Sequence, residues 1–281
     1  MIVDSETPAH VEHANDVCAV TLVRRMAALL DRDPEMFEQG GIMPRGWHVL
    51  LFNPPTRQSQ LRADGAAHLG VTLPDLGLPR LMMGGRRIAF GGDIVIGAAV
   101  RRESRQADVV IKSGRSGRFA LVDVEHRILI GDNPDPVVIE TNSYVLREAD
   151  PGNATPMAKP IIAVLPPADV TRVVTPDEAM LFRYSAITDN PHRIHYDLPY
   201  AQAEEGYSSL LVNGSLPAML LLEMFRAHVG QDPAGFESRN LAPMVCGAPL
   251  TLALSARGDQ NWSLRAYGPA GVIALEAKAW L

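Results

Sequence analysis

The segment Tyr184-Ser-Ala-Ile-Thr-Asp-Asn-Pro-His-Arg-Ile-His-Tyr-Asp197 gathers the groups that can move protons. Two of the chain's 8 histidines, His192 and His195, stand three positions apart in it, flanked by Asp189, Asn190 and Asp197. Pro191 blocks any helix arriving from upstream. Such a helix is expected. Thr175 followed by Glu178 forms a capping-box pattern, and Pro176 suits the first helical position. Met180, Leu181, Tyr184 and Ile187 then recur at helical spacing. The polar cluster falls on the loop where this helix stops, held by a rigid element as catalytic loops usually are.

Downstream, Leu216 to Val229 is apolar on almost every side, which marks a buried helix. Asn213-Gly214-Ser215-Pro217 signals its start and Gly230 its end. Strands are expected at Ala248–Ala256, Trp262–Tyr267 and Val272–Trp280. Upstream, Val17 to Leu30 reads as a helix and Pro44 to Pro55 as a short buried segment around Trp47. Period-two patterning then gives strands at Ile94–Ile96, Asp108–Lys112, Phe119–Ile130 and Val137–Leu146. Residues 1–15 are polar and read as loose. Ala149 to Pro167 reads as a linker. The helix-then-strands order occurs on both sides of it, so an α+β protein is expected, divided at 1–150 and 160–281.

Composition narrows the function classes. The 281 residues are 47% apolar and 21% charged, an ordinary globular balance. A net charge of −6 gives no reason to expect a nucleic-acid partner. No apolar run approaches the length of a membrane span. Cys18 and Cys246 are too few and too far apart for a disulfide framework or a metal cluster. With no secretory signal visible, a cytosolic protein with no membrane, metal or cofactor is expected. A homodimer is left open.

The quoted segment resembles the signature of MaoC-type (R)-specific enoyl-CoA hydratases. It is most similar to the branch of mesaconyl-CoA hydratases and mitochondrial-type hydroxyacyl-thioester dehydratases. That branch reads Ser-Ala-x-Thr-x-Asn-x-His-Arg-Ile-His-Tyr-Asp, matched here by Ser185-Ala186, Thr188, Asn190 and His192 through Asp197. The similarity extends to Trp47, Pro54, Arg57, Ser59, Asp64-Gly65, Leu78-Pro79-Arg80 and the Lys112–Gly117 stretch. It implies a double hotdog: two repeats, each an antiparallel sheet wrapped around a central helix. The N-terminal repeat is implied to be degenerate and the C-terminal one to keep the catalytic loop, with a CoA thioester lying between them.

Hydration of an enoyl thioester needs a base for water, an acid for the α-carbon and a group that stabilises the enolate oxygen. His195 suits the base, since its ordinary pKa is near neutrality. Gly214 suits the oxyanion role, because its N–H lies at a helix N-terminus. The wider signature has an aspartate where this chain has Asn190, and a histidine where it has Asn213. Two readings of the acid stay open. Either Asp189 transfers the proton, which is the expectation carried forward, or Asn190 positions water and His195 handles both protons. His192 either orients the site or packs; Arg193 either binds a substrate carboxylate or forms an outward ion pair. Arg80, Arg86 and Arg87 are candidates for an acidic substrate group contributed by the first half. Lys112–Arg118 reads as a solvated hairpin turn, with contact to CoA phosphates as the alternative. The expected activity is a hydratase or dehydratase for a short branched or dicarboxylic enoyl-CoA, such as mesaconyl-C4-CoA to citramalyl-CoA. An itaconyl-CoA hydratase, a 3-hydroxyacyl-thioester dehydratase and a non-catalytic thioester-binding protein with a degraded site are the alternatives.

Overall fold

A computed structural model describes residues 10–67, 71–114, 117–148 and 165–281. In chain order its strands are β1 Glu12–Val17, β2 Arg80–Phe90, β3 Ala99–Gly114, β4 Gly117–Ile130, β5 Val138–Arg147, β6 Val170–Val174, β7 Gly235–Asn240, β8 Leu250–Ala256, β9 Asn261–Tyr267 and β10 Ile273–Trp280. The α-helices are α1 Val20–Leu29, α2 Glu178–Ile187, α3 Leu198–Ala203 and α4 Leu216–Val229. All ten strands join one antiparallel sheet, ordered β1-β3-β4-β5-β2-β7-β10-β9-β8-β6.

That order is a palindrome of one plan. Each half begins with a short strand that pairs to the outer edge, continues through a helix, and returns with four strands. β2 and β7, the first of those four in each half, pair with one another. Arg87 stands opposite Glu237 at this join and forms an ion pair with it at 3.0 Å; Ile88 stands opposite Phe236. The molecule is therefore an α+β double hotdog in a single chain, its two halves sealed edge to edge. Closing the two central edges removes the unpaired N–H and C=O groups that would otherwise recruit another strand.

The halves differ in what the sheet wraps. In the second half α4 is buried at Leu216, Met219, Leu220, Leu221, Leu222, Met224 and Phe225. It packs on β8, β9 and β10. Gly230, at φ 83°, closes it in the left-handed conformation that glycine adopts without strain. In the corresponding place along the first half the described residues form no α-helix; the 3-10 turn Trp47–Leu50 lies there. Trp47, His48 and Leu50 are buried there, and the indole donates to Glu223 of α4 at 2.8 Å. A second, smaller core lies under the loop that carries Val71 and Leu78, against Val122, Val124, Tyr144 and Leu146.

Several expected boundaries move. Residues 12–17 form β1, an edge strand, not a loose tail. Ile94–Ile96 is not a strand; Val95 makes an isolated bridge to Ile42 while Ile94 and Ile96 fill the core. α2 is capped by Asp177, whose Oδ1 accepts from Met180 N–H at 2.8 Å, so Thr175 and Pro176 lie before it. β7 carried no strand signal. Lys112–Gly114 and Gly117–Arg118 are paired strand ends. The rest of that turn, and 149–164 of the expected linker, fall outside the described residues.

Candidate active site

The histidine loop is built by a chain of local hydrogen bonds. At the end of α2, Thr188 donates its hydroxyl to the Tyr184 carbonyl at 2.7 Å, and Asn190 N–H reaches the Ser185 carbonyl at 2.9 Å. Asp189 between them takes φ 45°, which lets the chain reverse. Asn190 Oδ1 then accepts from His192 N–H at 3.2 Å, and Arg193–His195 forms a 3-10 turn. Asp197 caps α3 through Tyr200 N–H at 3.1 Å.

His195 is buried at 6% exposure. Its Nδ1 lies 2.8 Å from the Leu211 carbonyl oxygen. A carbonyl can only accept, so Nδ1 carries the proton and Nε2 keeps its lone pair. Burial pushes the imidazole pKa down to about 4, outweighing the Leu211 hydrogen bond that favours the charged form. His195 is therefore neutral at physiological pH. The His192 ring meets it edge-on at 5.6 Å and is itself shifted down by burial.

The Leu211 contact ties this nitrogen to the start of α4. Leu211 N–H donates to Ile194 O at 2.9 Å and Val212 N–H to Met244 O at 2.8 Å, laying the strand-like segment beside the histidine turn. Asn213, Gly214 and Ser215 follow. Asn213 is 1% exposed, donates Nδ2 to Ser185 Oγ at 3.3 Å, and has a buried Oδ1 without a hydrogen bond among the described residues. Gly214 and Ser215 N–H are unused by other backbone groups among the described residues. A Cβ on Gly214 would stand 3.2 Å from Asn240 Nδ2, so the amide approaches here at close range. Ser215 Oγ accepts from the Tyr184 hydroxyl at 2.7 Å, fastening α2 to α4. A neutral imidazole nitrogen and a helix N-terminus with free donors thus share one neighbourhood. That pair can take a proton from water and stabilise negative charge on an oxygen.

The other expected residues separate. Asp189 is exposed, and its carboxylate makes no hydrogen bond among the described residues. Arg193 pairs with Asp197 at 2.8 Å, lies 3.9 Å over the Tyr200 ring and donates to Ala63 O at 3.4 Å. Its guanidinium is thus engaged by groups of the protein itself. Arg80 pairs with Glu205 at 2.9 Å, and Arg87 points outward to Glu237. Arg86 points inward, beside Glu140 at 3.4 Å.

Sequence reasoning overlooked Tyr184 with Ser215, Asn240, the Leu211 carbonyl, and a row of inward polar residues on the first half's sheet. That row is Ser104, His126, Glu140 and Asn142, all buried. Glu140 and Asn142 share strand parity with Val138, Tyr144 and Leu146, a signal that could have been read. Among the described residues no group of three or more His, Cys, Asp or Glu could hold a metal ion. No helix there is long and apolar enough to cross a membrane.

Comparison with known proteins gives concordant matches. The family model for hydroxyacyl-thioester dehydratase type 2 matches residues 46–246. A mesaconyl-C(4)-CoA hydratase from Chloroflexus aurantiacus is 40% identical over 265 residues, covering 94% of this chain and 92% of that protein. A mitochondrial hydroxyacyl-thioester dehydratase type 2 from Schizosaccharomyces pombe is 37% identical over 90 residues, 31% of this chain and 30% of that protein. Among solved structures, HtdX of Mycobacterium tuberculosis superposes with a TM-score of 0.67 at 19% identity, over 97% of this chain and 100% of that one. A MaoC-like dehydratase from Phytophthora capsici gives 0.71 at 11% identity, over 97% and 95%.

Proposed function

This chain belongs to the hydroxyacyl-thioester dehydratase type 2 family, whose members are hydro-lyases, and we propose that it hydrates a short branched or dicarboxylic enoyl-CoA in the cytosol. Mesaconyl-C4-CoA, giving citramalyl-CoA, is the substrate this reading favours, supported by the extent of similarity to the Chloroflexus enzyme. Itaconyl-CoA and 3-hydroxyacyl thioesters compete with it in the same assay.

The observation that carries the mechanism is His195 Nδ1 on the Leu211 carbonyl. It leaves Nε2 as a base, on a ring held by a carbonyl three positions before Gly214 at the α4 N-terminus. The thioester carbonyl oxygen accepts from Gly214 N–H. His195 Nε2 takes a proton from water as the water oxygen bonds to the β-carbon, and the electron pair of the double bond moves to the thioester as an enolate. The enolate collapses by taking a proton at the α-carbon from the imidazolium, which returns His195 to its neutral form. Asn190, whose Oδ1 is spent on His192 N–H, offers its Nδ2 to the water oxygen. His192 orients His195, and Asn213 holds the loop before Gly214 to Ser185. Asp189 serves as the helix-end residue in this scheme, which reverses the role expected of it from sequence. Residues 1–150 form a repeat without a catalytic loop and 160–281 the repeat that carries it, with the acyl-thioester between them.

The test is incubation of the purified chain with mesaconyl-C4-CoA while enoyl absorbance is followed. Loss of absorbance with formation of a hydroxyacyl-CoA is expected. Absence of turnover with mesaconyl-C4-CoA, itaconyl-CoA and crotonyl-CoA alike would end this reading.

A further inference from the structure

A guanidinium taken out of water normally spends its five donors on hydrogen bonds. Arg86 does not. Its side chain is only 12% exposed, its ion contact is the 3.4 Å approach to Glu140 Oε1, and that oxygen makes no hydrogen bond among the described residues. The neighbouring arginines on β2 are differently placed: Arg80 is held by Glu205, and Arg87 lies on the outer face with Glu237.

Glu140 does not neutralise the site by itself. Its Oε2 faces His48 Nε2 at 3.2 Å, and its charge also acts on the Arg102 guanidinium. Burial favours the protonated acid, yet Arg86 and then His48 outweigh it and hold the Glu140 carboxyl well below its usual range. One carboxylate is thus shared between two guanidinium groups, with Asp16 and Glu12 also facing Arg102 from β1. Asn142, the cross-strand neighbour of Arg86 on β5, has a buried Oδ1 with no hydrogen bond among the described residues. Two buried acceptor oxygens, Glu140 Oε1 and Asn142 Oδ1, are thus left without a hydrogen bond beside the Arg86 guanidinium among the described residues.

This unsatisfied cluster adjoins the α4 N-terminus. Across the join, Arg86 stands opposite Ser238. Two residues further, about 7 Å along β7, Asn240 lies against Gly214 and donates to Met83 O at 3.1 Å. The charge of Arg86 reaches the Tyr184 hydroxyl, which is bonded to Ser215.

We propose that Arg86 is the specificity-determining residue of this site, binding a carboxylate at the far end of the acyl group while Glu140 and His48 hold its guanidinium in place. The site then selects dicarboxylic acyl thioesters over monocarboxylic ones of equal length. A carboxylate fits the planar donor fork, whereas a bulkier dianionic phosphate would have to enter beneath the sheet and face Glu140. The inference rests on the reading of Gly214 as the thioester site.

Succinyl-CoA and butyryl-CoA, saturated thioesters that hydration cannot consume, separate binding from turnover. Titration calorimetry on the full chain should show succinyl-CoA bound more tightly by on the order of 10- to 100-fold, the span of charge-assisted hydrogen bonds. Arg86→Lys should keep part of the preference. Arg86→Gln leaves the buried Glu140 with His48 but without its guanidinium partner and could unfold, so the double variant Arg86→Gln/Glu140→Gln, which removes both charges, is the decisive one; it should lose the preference. Equal binding by the wild-type chain, or an unchanged preference in the double variant, overturns the proposal. A wild-type chain that prefers succinyl-CoA yet leaves mesaconyl-C4-CoA, itaconyl-CoA and crotonyl-CoA alike unhydrated supports the clamp and refutes the hydration reading.

Discussion

A histidine that acts as a base must be neutral before it acts, and two features of His195 secure that. Burial lowers its pKa to about 4, and the Leu211 carbonyl fixes the proton on Nδ1. Replacing His195 by Ala should lower kcat by on the order of 10²–10⁴-fold. Circular dichroism should be unchanged, and near wild-type turnover would remove His195 from the mechanism. The same burial has a cost in acid. The unfolded chain protonates His195 near its ordinary 6.5, the folded chain only near 4, so stability is unaffected above that window and falls as pH drops through it. At a pH of about 5 the linkage amounts to about 2 kcal/mol. His126, buried and lowered to about 4, adds a parallel loss. Urea midpoints at neutral and mildly acid pH should show this drop, and His195→Gln should show less of it; a midpoint independent of pH would contradict the burial of a neutral His195. The two neighbours of the loop should separate. Asp189 is exposed at a helix end, whereas Asn190 Oδ1 holds His192 N–H. Asn190→Ala should therefore cost more in kcat than Asp189→Asn. The reverse order in steady-state kinetics would restore the carboxylate to proton transfer.

The histidine loop is held from outside by an element of the other half. Asp64 carbonyl accepts from Arg193 N–H at 2.8 Å, and Arg193 reaches back to Ala63 O. Gly65 sits at φ 80°, and a Cβ there would stand 2.4 Å from the Pro191 carbonyl oxygen. Gly65→Ala is thus strained twice, by backbone conformation and by contact, and backbone strain of this kind costs about 1–3 kcal/mol. Because the displaced atoms begin the histidine loop, kcat should fall by about 10-fold or more while the thermal midpoint moves by only a few degrees. An unchanged kcat would show the contact to be passive. Elements of this kind mark where the sequence can and cannot be read. α4 and the histidine loop were legible because their signals are local: an apolar run with a start and stop, and polar groups at short spacing. β1, Glu-His-Ala-Asn-Asp-Val, and β7, Gly-Phe-Glu-Ser-Arg-Asn, were not, because their strand character comes from partners far along the chain. Ile94–Ile96 misled in the opposite sense: Ile94 and Ile96 are buried at a turn while Val95 between them is exposed. His195, His192, Asn190 and Gly214 could be found from one loop and one helix start. Choosing Arg86 over Arg80 and Arg87 required the face each takes on β2, and that is fixed by pairing with β5 and β7. Glu140 and Asn142 become part of the same site only through the fold.

At the scale of the molecule, the second half cannot bury what it carries. α4 is apolar nearly all round, but β8, β9 and β10 cover only part of it. The remainder is closed by the first half. Gly46 comes so near that a Cβ there would stand 2.6 Å from Leu222 Cδ1, Trp47 donates to Glu223 at 2.8 Å, and the Arg226 guanidinium donates to Arg45 O. β7 likewise depends on β2 for one of its two partners, through pairs from Gly85–Arg239 to Ala89–Gly235. Removing the first half would expose a helix face and a sheet edge together, and exposed edges recruit other strands. It would also remove the Asp64–Gly65 hold on the histidine loop. A fragment of residues 160–281 expressed alone should therefore aggregate, or pair with a second fragment through β7, and should lack turnover. Co-expression with residues 1–150 should recover a soluble complex and activity, since the join is made of contacts that do not need a covalent link. Sedimentation and mesaconyl-C4-CoA turnover on the two preparations decide the matter. A fragment that is soluble, monomeric and as active as the whole chain would show that the first half contributes neither cover nor site, and the two-repeat reading would fall with it.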